Sequence, residues 1–321
     1  MDIYFDYQPS ELGGQEVEVK VTHCGVCHSD VYLIDNEWGN GEYPLVPGHE
    51  IIGEVVRVGD AVFTVKPGDR VGIGWQCGSC LDCEWCEQGE EFFCHENLTT
   101  ANGHFGGFAD YVRAEQRFVF KIPEGLDSET AAPLLCAGST VYSSLQFYDV
   151  RPSMHVGVIG IGGLGHLALQ FADAWGCDVT AFSHTADKAV EAKSFGADHF
   201  VATEDTVEME KMLNRLDFII STISVSLDWD RYLSFLRPKG KLCIVGTVPN
   251  VSASSFPLLL GFKTICGNGV GQPKIIQEML DFAARHHIKA KTQLIPMADV
   301  NTAVDIVRNN QARYRVVLHN K

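Results

Sequence analysis

Long apolar runs and basic charge are both scarce in this sequence. No apolar stretch is long enough to cross a bilayer, and the richest one, His155–Ala172, is interrupted by five glycines and a second histidine. Lysine and arginine total 25 against 41 aspartate and glutamate residues, which gives a formal net charge of −16. Nucleic acids and anionic membranes repel such a surface, so we expect neither as a partner.

A signal-peptide pattern is also missing, because residues 1–20 carry acids and no apolar core of that type. We therefore expect a cytoplasmic protein, whose cysteines remain thiols or metal ligands rather than disulfides. Cysteine itself is abundant, with 11 residues in the chain. The length of 321 residues exceeds what one hydrophobic core usually serves, and this predicts two domains.

The first third of the chain is rich in β-branched residues and glycine. Short strands are predicted between Gly, Pro and Asp turns, at Val17–Val21, Ile51–Val58, Arg70–Ile73 and Phe108–Val112. This pattern predicts a partly open β-barrel. From about Ala137 the pattern changes to alternating strands and helices, which predicts an α/β fold with βαβ units on a parallel sheet. The expected division is a barrel domain at 1–136, a doubly wound domain at 137–272, and a return to the barrel at 273–321.

The elements predicted after Ala137 follow from apolar periodicity. The strands are His155–Ile159, Cys177–Phe182, His199–Ala202, Leu216–Thr222, Lys241–Val245 and Tyr314–Leu318. The helices are Leu164–Trp175, Ala186–Phe195, Leu233–Leu236 and Lys274–Arg285.

Five cysteines fall within eighteen residues, at Cys77, Cys80, Cys83, Cys86 and Cys94. Repeated two-residue gaps place thiolates on one short loop, where a tetrahedral zinc site can close. Disulfides are disfavoured in a reducing compartment. An iron–sulfur cluster is the main competitor, although its usual Cys-Pro continuation is absent. The pattern favours structural zinc, with five cysteines competing for four positions.

A glycine-rich turn follows the predicted strand at His155–Ile159 and opens a helix. Its residues are Gly160, Ile161, Gly162, Gly163, Leu164 and Gly165. The first glycine permits the tight turn, the second admits a pyrophosphate, and the third lets the helix pack on the strand. The motif is weak alone, but this strand-to-helix context supports a dinucleotide site.

The choice between NADP and NAD depends on the end of the next strand. An acid there would bind the ribose 2′-OH of NAD, and none is present. The segment offers Ser183, His184, Thr185 and Lys188, of which the two hydroxyls and the lysine can bind a 2′-phosphate. His184 and Lys188 are also compatible with plain surface positions. We therefore predict NADP(H), with NAD as the less favoured cofactor.

Three separated segments resemble one family. They are Cys24-Gly25-Val26-Cys27-His28-Ser29-Asp30, Gly48-His49-Glu50 and Pro133-Leu134-Leu135-Cys136-Ala137-Gly138. Together they resemble the zinc-dependent medium-chain alcohol dehydrogenases, in the cinnamyl-alcohol-dehydrogenase-like branch, over Val17 to Leu318. The resemblance implies a GroES-like, partly open β-barrel catalytic domain and a doubly wound Rossmann dinucleotide-binding domain.

The same resemblance implies a catalytic zinc with an open fourth position. Its ligands would be Cys27, His49 and Cys136, with Glu50 able to join or leave the metal. Asp30 would orient His49, and Ser29 would begin a proton relay.

For the structural zinc, the family pattern selects Cys80, Cys83, Cys86 and Cys94, which leaves Cys77 as an extra cysteine. The chain would thus hold two zinc ions. Cys24 precedes the motif's ligand position and is not expected to bind.

Further positions are implied by the resemblance alone. Those near the cofactor are His28, Thr140, Thr222 and Val270. Trp38 and Trp75 correspond to positions lining the family's substrate cleft, with core packing as the alternative reading of each. Tyr32 stands where many relatives carry the histidine that ends the proton relay.

The expected function is interconversion of primary alcohols and aldehydes, aromatic or medium aliphatic, by hydride transfer with NADP(H). The alternatives are a zinc-independent enone or quinone reductase and an inactive protein that binds cofactor or metal. A homodimer formed through the dinucleotide-binding domain is implied as well. The family usually begins with a further strand before the segment matching Phe5–Glu11, so the barrel is expected to lack an edge strand.

Overall fold

The computed structural model describes residues 9–320 of the chain. One unit contains the residues up to Ser139 together with those from Gly271 onward, and the other is Thr140–Val270. The expectation about a strand ahead of Phe5–Glu11 concerns residues outside the described part.

Short strands dominate the first part of the chain, as the sequence predicts. They are β1 Glu16–Val26, β2 Ile51–Val58, β3 Arg70–Ile73, β4 Gln76–Gly78, β5 Leu98–Thr99, β6 Tyr111–Glu115 and β7 Val119–Lys121. Helices in the same part are α1 His28–Ile34, α2 Glu84–Glu87 and α3 Ser128–Ala131, followed by α4 Ala137–Phe147.

Strands and helices alternate from His155 onward. The strands are β8 His155–Ile159, β9 Asp178–Ser183, β10 His199–Ala202, β11 Leu216–Ser221, β12 Leu236–Ile244 and β13 Thr264–Gly267. The helices are α5 Gly165–Ala174, α6 Ala189–Ser194, α7 Thr206–Glu210, α8 Trp229–Phe235 and α9 Ser255–Gly261. The chain then continues through α10 Pro273–His286, β14 Thr292–Pro296, α11 Val300–Arg308 and β15 Arg315–His319.

The predicted strand Phe108–Val112 is wrong by three residues, because β6 begins at Tyr111. The amides of Gly106, Gly107 and Phe108 donate instead to carbonyls of the segment 46–48. A backbone amide bonded to a loop is not available to the strand ladder, so β6 starts only after this segment.

Two predicted helices also need correction. The segment Leu233–Leu236 is only the end of α8, which begins at Trp229 behind the N-cap Asp228, whose carboxylate accepts from the Arg231 amide. Leu236 already belongs to β12, so the strand predicted at Lys241–Val245 begins five residues earlier. The helix predicted at Ala186–Phe195 opens with a 3₁₀ turn, and its α-helical part is α6.

The sheet of the second unit is parallel in every pairing, in the order β10-β9-β8-β11-β12-β13. In order of entry this is 3-2-1-4-5-6, the doubly wound Rossmann order. The glycine-rich turn follows β8, at the point where the strand order reverses. Ligands of such sheets bind at this edge, beyond the carboxyl ends of the strands.

Strand β1 organises the sheet of the first unit. It pairs with β2 along most of its length, with β6 through its first half and with β15 through its last residues. Bulges at Glu18/Val19 and Val21/His23 bend it, as a partly open barrel requires. Val17, Val19 and Val21 alternate into the core with at most 1% exposure. Because β1 ends at Val26, it delivers Cys27 directly to the start of α1.

Candidate active site and metal centres

Four of the five clustered cysteines come together around one point. The Sγ atoms of Cys80, Cys83, Cys86 and Cys94 all lie within 4.8 Å of one another. The distances are 3.6 Å for Cys83–Cys86, 3.4 Å for Cys80–Cys94 and 3.9 Å for Cys80–Cys86. Sulfurs bound to zinc at about 2.3 Å in a tetrahedron are about 3.8 Å apart, and a disulfide would need about 2 Å. The quartet therefore fits a tetrahedral zinc ion.

Cys77 lies outside this quartet. It is 2% exposed, and its thiol donates a 3.5 Å hydrogen bond to the carbonyl of Leu98. Burial raises the pKa of the Cys77 thiol to about 12, so the thiol keeps its proton. A neutral, buried thiol with its own acceptor behaves as a packing residue.

A second cluster brings together residues that are far apart in the sequence. Cys27, His49, Glu50 and Cys136 place their ligand atoms within 4.8 Å of one another, and all four are buried. Cys27 is the N-cap of α1, His49 and Glu50 directly precede β2, and Cys136 lies just before α4. Three different elements thus deliver two sulfurs, a nitrogen and a carboxylate to one place.

Asp30 holds this cluster in position. Its Oδ1 lies 2.8 Å from His49 Nδ1 and accepts from the Gly48 amide, and its Oδ2 accepts from the Cys27 amide at 2.9 Å. With Nδ1 engaged, His49 Nε2 is buried and has no hydrogen-bond partner among the described residues. A buried nitrogen of this kind lacks a bonding partner unless it coordinates a metal ion such as zinc, which accepts the nitrogen lone pair.

Charge in the second cluster is shared among several buried groups. The Cys136 thiol donates to Cys27, and with His49 it holds the pKa of Cys27 well below its usual value despite burial. The same bond, with burial, raises the pKa of Cys136 well above its usual value. Burial lowers the pKa of His49, but Asp30 more than offsets this and leaves it well above the usual value. Such a set of donors fits a soft divalent cation such as zinc.

Arg315 is a component of this site that the sequence did not reveal. Its guanidinium, 5% exposed on β15, is ion-paired with Glu50, which is fully buried. Burial raises the pKa of Glu50 to about 7, and Arg315 partly opposes that rise. Glu50 Oε2 has no hydrogen-bond partner among residues 9–320 and remains available to a metal. The sequence feature that could have identified Arg315 is its positive charge inside the otherwise apolar strand predicted at Tyr314–Leu318.

Ser29 and the two indoles lie close to the second cluster. Ser29 Oγ is 3.8 Å from Cys27 Sγ. The Trp75 ring meets the His49 ring edge-on at 5.0 Å, and the Trp38 ring lies 6.2 Å from that of Trp75. Trp38 is 37% exposed, and its ring also lies 5.3 Å from the Tyr32 ring. The two indoles together form an aromatic wall next to His49.

The glycine-rich turn has the conformation that its sequence requires. Gly160 has φ +87°, and a Cβ at Gly165 would lie 1.8 Å from the Gly160 carbonyl oxygen. A Cβ at Gly162 would meet nothing within 4 Å, so this position is open to an approaching ligand. Thr222 Oγ1 donates to the Gly160 carbonyl at 2.9 Å and braces the turn. Helix α5 then begins at Gly165, one residue later than expected, with Leu164 as its N-cap.

The segment after β9 carries polar groups near the same turn. Lys188 Nζ donates to the carbonyl of Ile161 at 2.8 Å, and Thr185 bonds to Asp187. Ser183 is buried at the end of β9, whereas His184 is exposed and lies 3.3 Å from a carboxylate oxygen of Glu204. Glu204 was missed by the sequence analysis, because it follows a different strand.

The remaining predicted positions are not among the ligand groups of these clusters. His28 is on α1, with its ring 6.1 Å from the Tyr32 ring. Thr140 is buried in α4, and its carbonyl accepts from Ser143 and Ser144. Val270 is half-buried before α10. Cys24 is fully buried, with its thiol 3.6 Å from the Gly25 carbonyl.

Comparison with known proteins defines the class first. Residues 13–124 match the alcohol dehydrogenase GroES-like domain, and residues 163–285 match the zinc-binding dehydrogenase domain. The chain is 44% identical to the aldehyde reductase AdhA of Synechocystis, covering 99% of this chain and 95% of that protein. It thus shares both domains of a two-domain zinc-binding dehydrogenase.

Solved structures place it more narrowly. A cinnamyl alcohol dehydrogenase of Sorghum bicolor superposes with a TM-score of 0.94 at 40% identity, covering 98% of this chain and 93% of that one. A Helicobacter pylori cinnamyl alcohol dehydrogenase, complexed with NADP(H), gives 0.88 at 35% identity, covering 96% and 91%. The chain belongs to the zinc-dependent medium-chain alcohol dehydrogenases, in the cinnamyl-alcohol-dehydrogenase-like branch.

The expected fold and enzyme class are therefore confirmed: the protein is an oxidoreductase that acts on small molecules. Among the described residues, no helix is both long and apolar enough to cross a membrane.

Proposed function

We propose that this protein interconverts primary alcohols and aldehydes with NADP(H), using zinc held by Cys27, His49 and Cys136. The observation that carries the proposal is the orphaned Nε2 of His49, buried beside two cysteines while Asp30 fixes the other ring nitrogen. Zinc bound there acts as a Lewis acid toward a carbonyl or hydroxyl oxygen. Glu50, with Oε2 unpaired, is the carboxylate that can join or leave the metal.

The chain's own residues then supply positioning and proton transfer. Asp30 sets the orientation of His49 and accepts a hydrogen bond from the Cys27 amide. The same carboxylate therefore positions two of the proposed zinc ligands. Ser29, two residues after Cys27, would give a proton to the substrate oxygen in aldehyde reduction and take one from it in alcohol oxidation, with water or another group restoring the Ser29 hydroxyl. Trp38 and Trp75 provide an apolar wall that favours aromatic or medium aliphatic substrates over small polar ones.

The cysteine quartet has a structural role in this proposal. Cys80, Cys83, Cys86 and Cys94 leave no position open, which is the arrangement of a structural rather than a catalytic zinc. An ion held by these four cysteines would therefore keep the loop of residues 77–99 in place. Maintaining these thiolates requires a reducing compartment, consistent with a cytoplasmic enzyme.

Cofactor binding is assigned to the edge of the doubly wound sheet. Gly160, Gly162, Gly163 and Gly165, with Leu164, receive the pyrophosphate at the start of α5. Ser183, His184, Thr185 and Lys188 lie where the adenosine ribose is expected, without an acid at the strand end. His28, Thr140, Thr222 and Val270 remain proposed contacts of the nicotinamide half or the pyrophosphate.

The cofactor assignment is tested by comparing kcat/KM for NADPH and NADH over a panel of aldehydes. We expect NADPH to give the higher value with the unmodified enzyme. His184→Asp should shift preference toward NADH, because a carboxylate accepts from the ribose 2′-OH and repels a 2′-phosphate. His184→Asn is the matched control, since it removes the imidazole without adding charge. A higher kcat/KM with NADH in the unmodified enzyme would overturn the NADP assignment.

A further inference from the structure

The doubly wound unit has a cavity at the edge of its sheet opposite the glycine-rich turn. The cavity measures about 270 Å³ and is lined by the first residues of four parallel strands, His155, Asp178, His199 and Leu216. The glycine-rich turn follows the other end of β8. The cavity therefore belongs to the amino-terminal edge of the sheet, and the proposed function makes no use of it.

Positive charge is concentrated on the wall of this cavity. Lys211, Arg215 and Arg237 line it, against a single carboxylate, Asp178. The chain as a whole has a formal net charge of −16. A group of cations around one concave surface is thus contrary to the overall charge, and it favours a negatively charged ligand at this place.

Arg215 is the cation most available to a ligand. It is exposed, and among residues 9–320 its guanidinium has no ion pair or hydrogen bond. Lys211 is paired with Glu208 at 2.5 Å and Arg237 with Asp217 at 3.2 Å, and neither carboxylate lines the cavity. Partly exposed pairs of this kind are weak, so a bound anion can share both cations.

The carboxylate of Asp178 lies between two imidazoles. His155 Nδ1 is 3.1 Å from its Oδ2, and His199 Nε2 is 2.9 Å from its Oδ1. The imidazoles therefore face opposite oxygens rather than one common point, which disfavours a metal ion.

We propose that this cavity binds a small multivalent oxyanion, with Arg215 as its main anchor. A volume of 270 Å³ corresponds to about nine water molecules at about 30 Å³ each, and it lies below the range of about 300–1,000 Å³ typical of drug-sized ligands. A phosphate-sized anion fits with part of its hydration retained. The planar guanidinium of Arg215 offers the paired donors that such oxyanions accept.

The test is a titration of the full-length protein with inorganic phosphate at constant ionic strength, followed by NMR of the histidine ring signals. The signals are assigned with His155→Asn and His199→Asn. We expect saturable shifts of both rings, and binding at least tenfold weaker in Arg215→Gln. Arg285→Gln is the matched control, because Arg285 is also exposed and unpaired but belongs to the other unit. It should bind phosphate as the unmodified protein does.

Further titrations distinguish the type of anion bound and the edge of the sheet at which it binds. Sulfate and citrate in place of phosphate show whether the cavity prefers tetrahedral oxyanions or polycarboxylates. Phosphate bound at the glycine-rich turn would be insensitive to Arg215→Gln, so this variant also distinguishes the two edges of the sheet. The proposal is overturned if neither ring signal shifts saturably, if chloride produces the same shifts, or if Arg215→Gln binds phosphate with unchanged affinity.

Discussion

At the scale of single residues, the proposed catalytic cluster depends on one carboxylate. Asp30 is fully buried and accepts from His49 Nδ1 and from the amides of Cys27 and Gly48. A buried charge is tolerated only when it is well hydrogen-bonded, and these contacts meet that condition. They also fix the orientation of the His49 ring, so that Nε2 is the nitrogen available to the proposed metal ion. Positioning of the ligands is therefore determined by the segment that supplies Cys27.

The proton route is testable at Ser29 and Tyr32. Ser29→Ala should lower kcat by roughly 10²–10⁴, the usual scale for a positioned proton-transfer group. Tyr32→Phe should leave kcat and its pH profile nearly unchanged, because the substitution keeps the ring that lies 5.3 Å from the Trp38 ring. Steady-state kinetics across pH provide the measurement. A collapse of activity in Tyr32→Phe with activity retained in Ser29→Ala would reverse the two roles.

At the scale of elements, the cysteine lobe has little regular structure of its own. Helix α2 spans only Glu84–Glu87, and β4 and β5 form only a two-stranded ladder. Such short elements bury too little apolar surface to be stable independently. Gln272, which accepts from the Phe92 amide, and the Arg117–Glu91 ion pair also hold the lobe, and an ion bound by the quartet would add to these contacts.

Removing one lobe thiolate should release its zinc and loosen the segment. We expect Cys80→Ser to lose one zinc ion per chain and to become sensitive to proteolysis within residues 77–99. Cys77→Ser is the matched control, because this cysteine is nearby and buried but lies outside the quartet. It should keep two zinc ions and resist proteolysis. Equal zinc loss in both variants would show that the quartet is assigned incorrectly.

What could be predicted from the sequence depended on distance along the chain. The cysteine cluster and the glycine-rich turn are local, so spacing alone indicated a metal site and a dinucleotide site. Selecting Cys80, Cys83, Cys86 and Cys94 from the five cysteines needed the family resemblance. The proposed ligands Cys27, His49 and Cys136 could be identified only by a family resemblance, because tertiary folding alone brings them together. Arg315 pairs with Glu50, which is 265 residues away in the sequence, and no local sequence pattern predicts that contact. The start of strand β6 was predicted three residues too early for a similar reason. The backbone amides of residues 106–108 donate to carbonyls of the loop 46–48, which is distant in the sequence.

At the scale of the whole molecule, we propose that an exposed apolar face forms the interface of the expected homodimer. On α9 and just after it, Phe256, Leu259, Leu260 and Phe262 are each 69–74% exposed. The neighbouring strand β13 is an edge strand with unpaired backbone groups. Contiguous exposed apolar residues and an open sheet edge both favour association with a second copy.

We therefore expect a mass of twice 35.3 kDa in sedimentation equilibrium. Leu260→Asp should shift the protein toward the monomer, because it places a charge in an apolar interface. Val207→Asp is the control, since Val207 is also exposed, at 61%, but lies on α7. A monomeric unmodified protein, or an equal effect of both substitutions, would contradict the proposed interface.

The most direct test of the central claim combines metal analysis with turnover in Cys136→Ser. The unmodified enzyme should contain two zinc ions per chain and reduce aldehydes with NADPH. Cys136→Ser should retain the single zinc of the cysteine quartet, unfold in urea near the unmodified midpoint, and show no measurable turnover. A Cys136→Ser variant that keeps full turnover, or an unmodified enzyme that contains iron in place of zinc, would contradict the account.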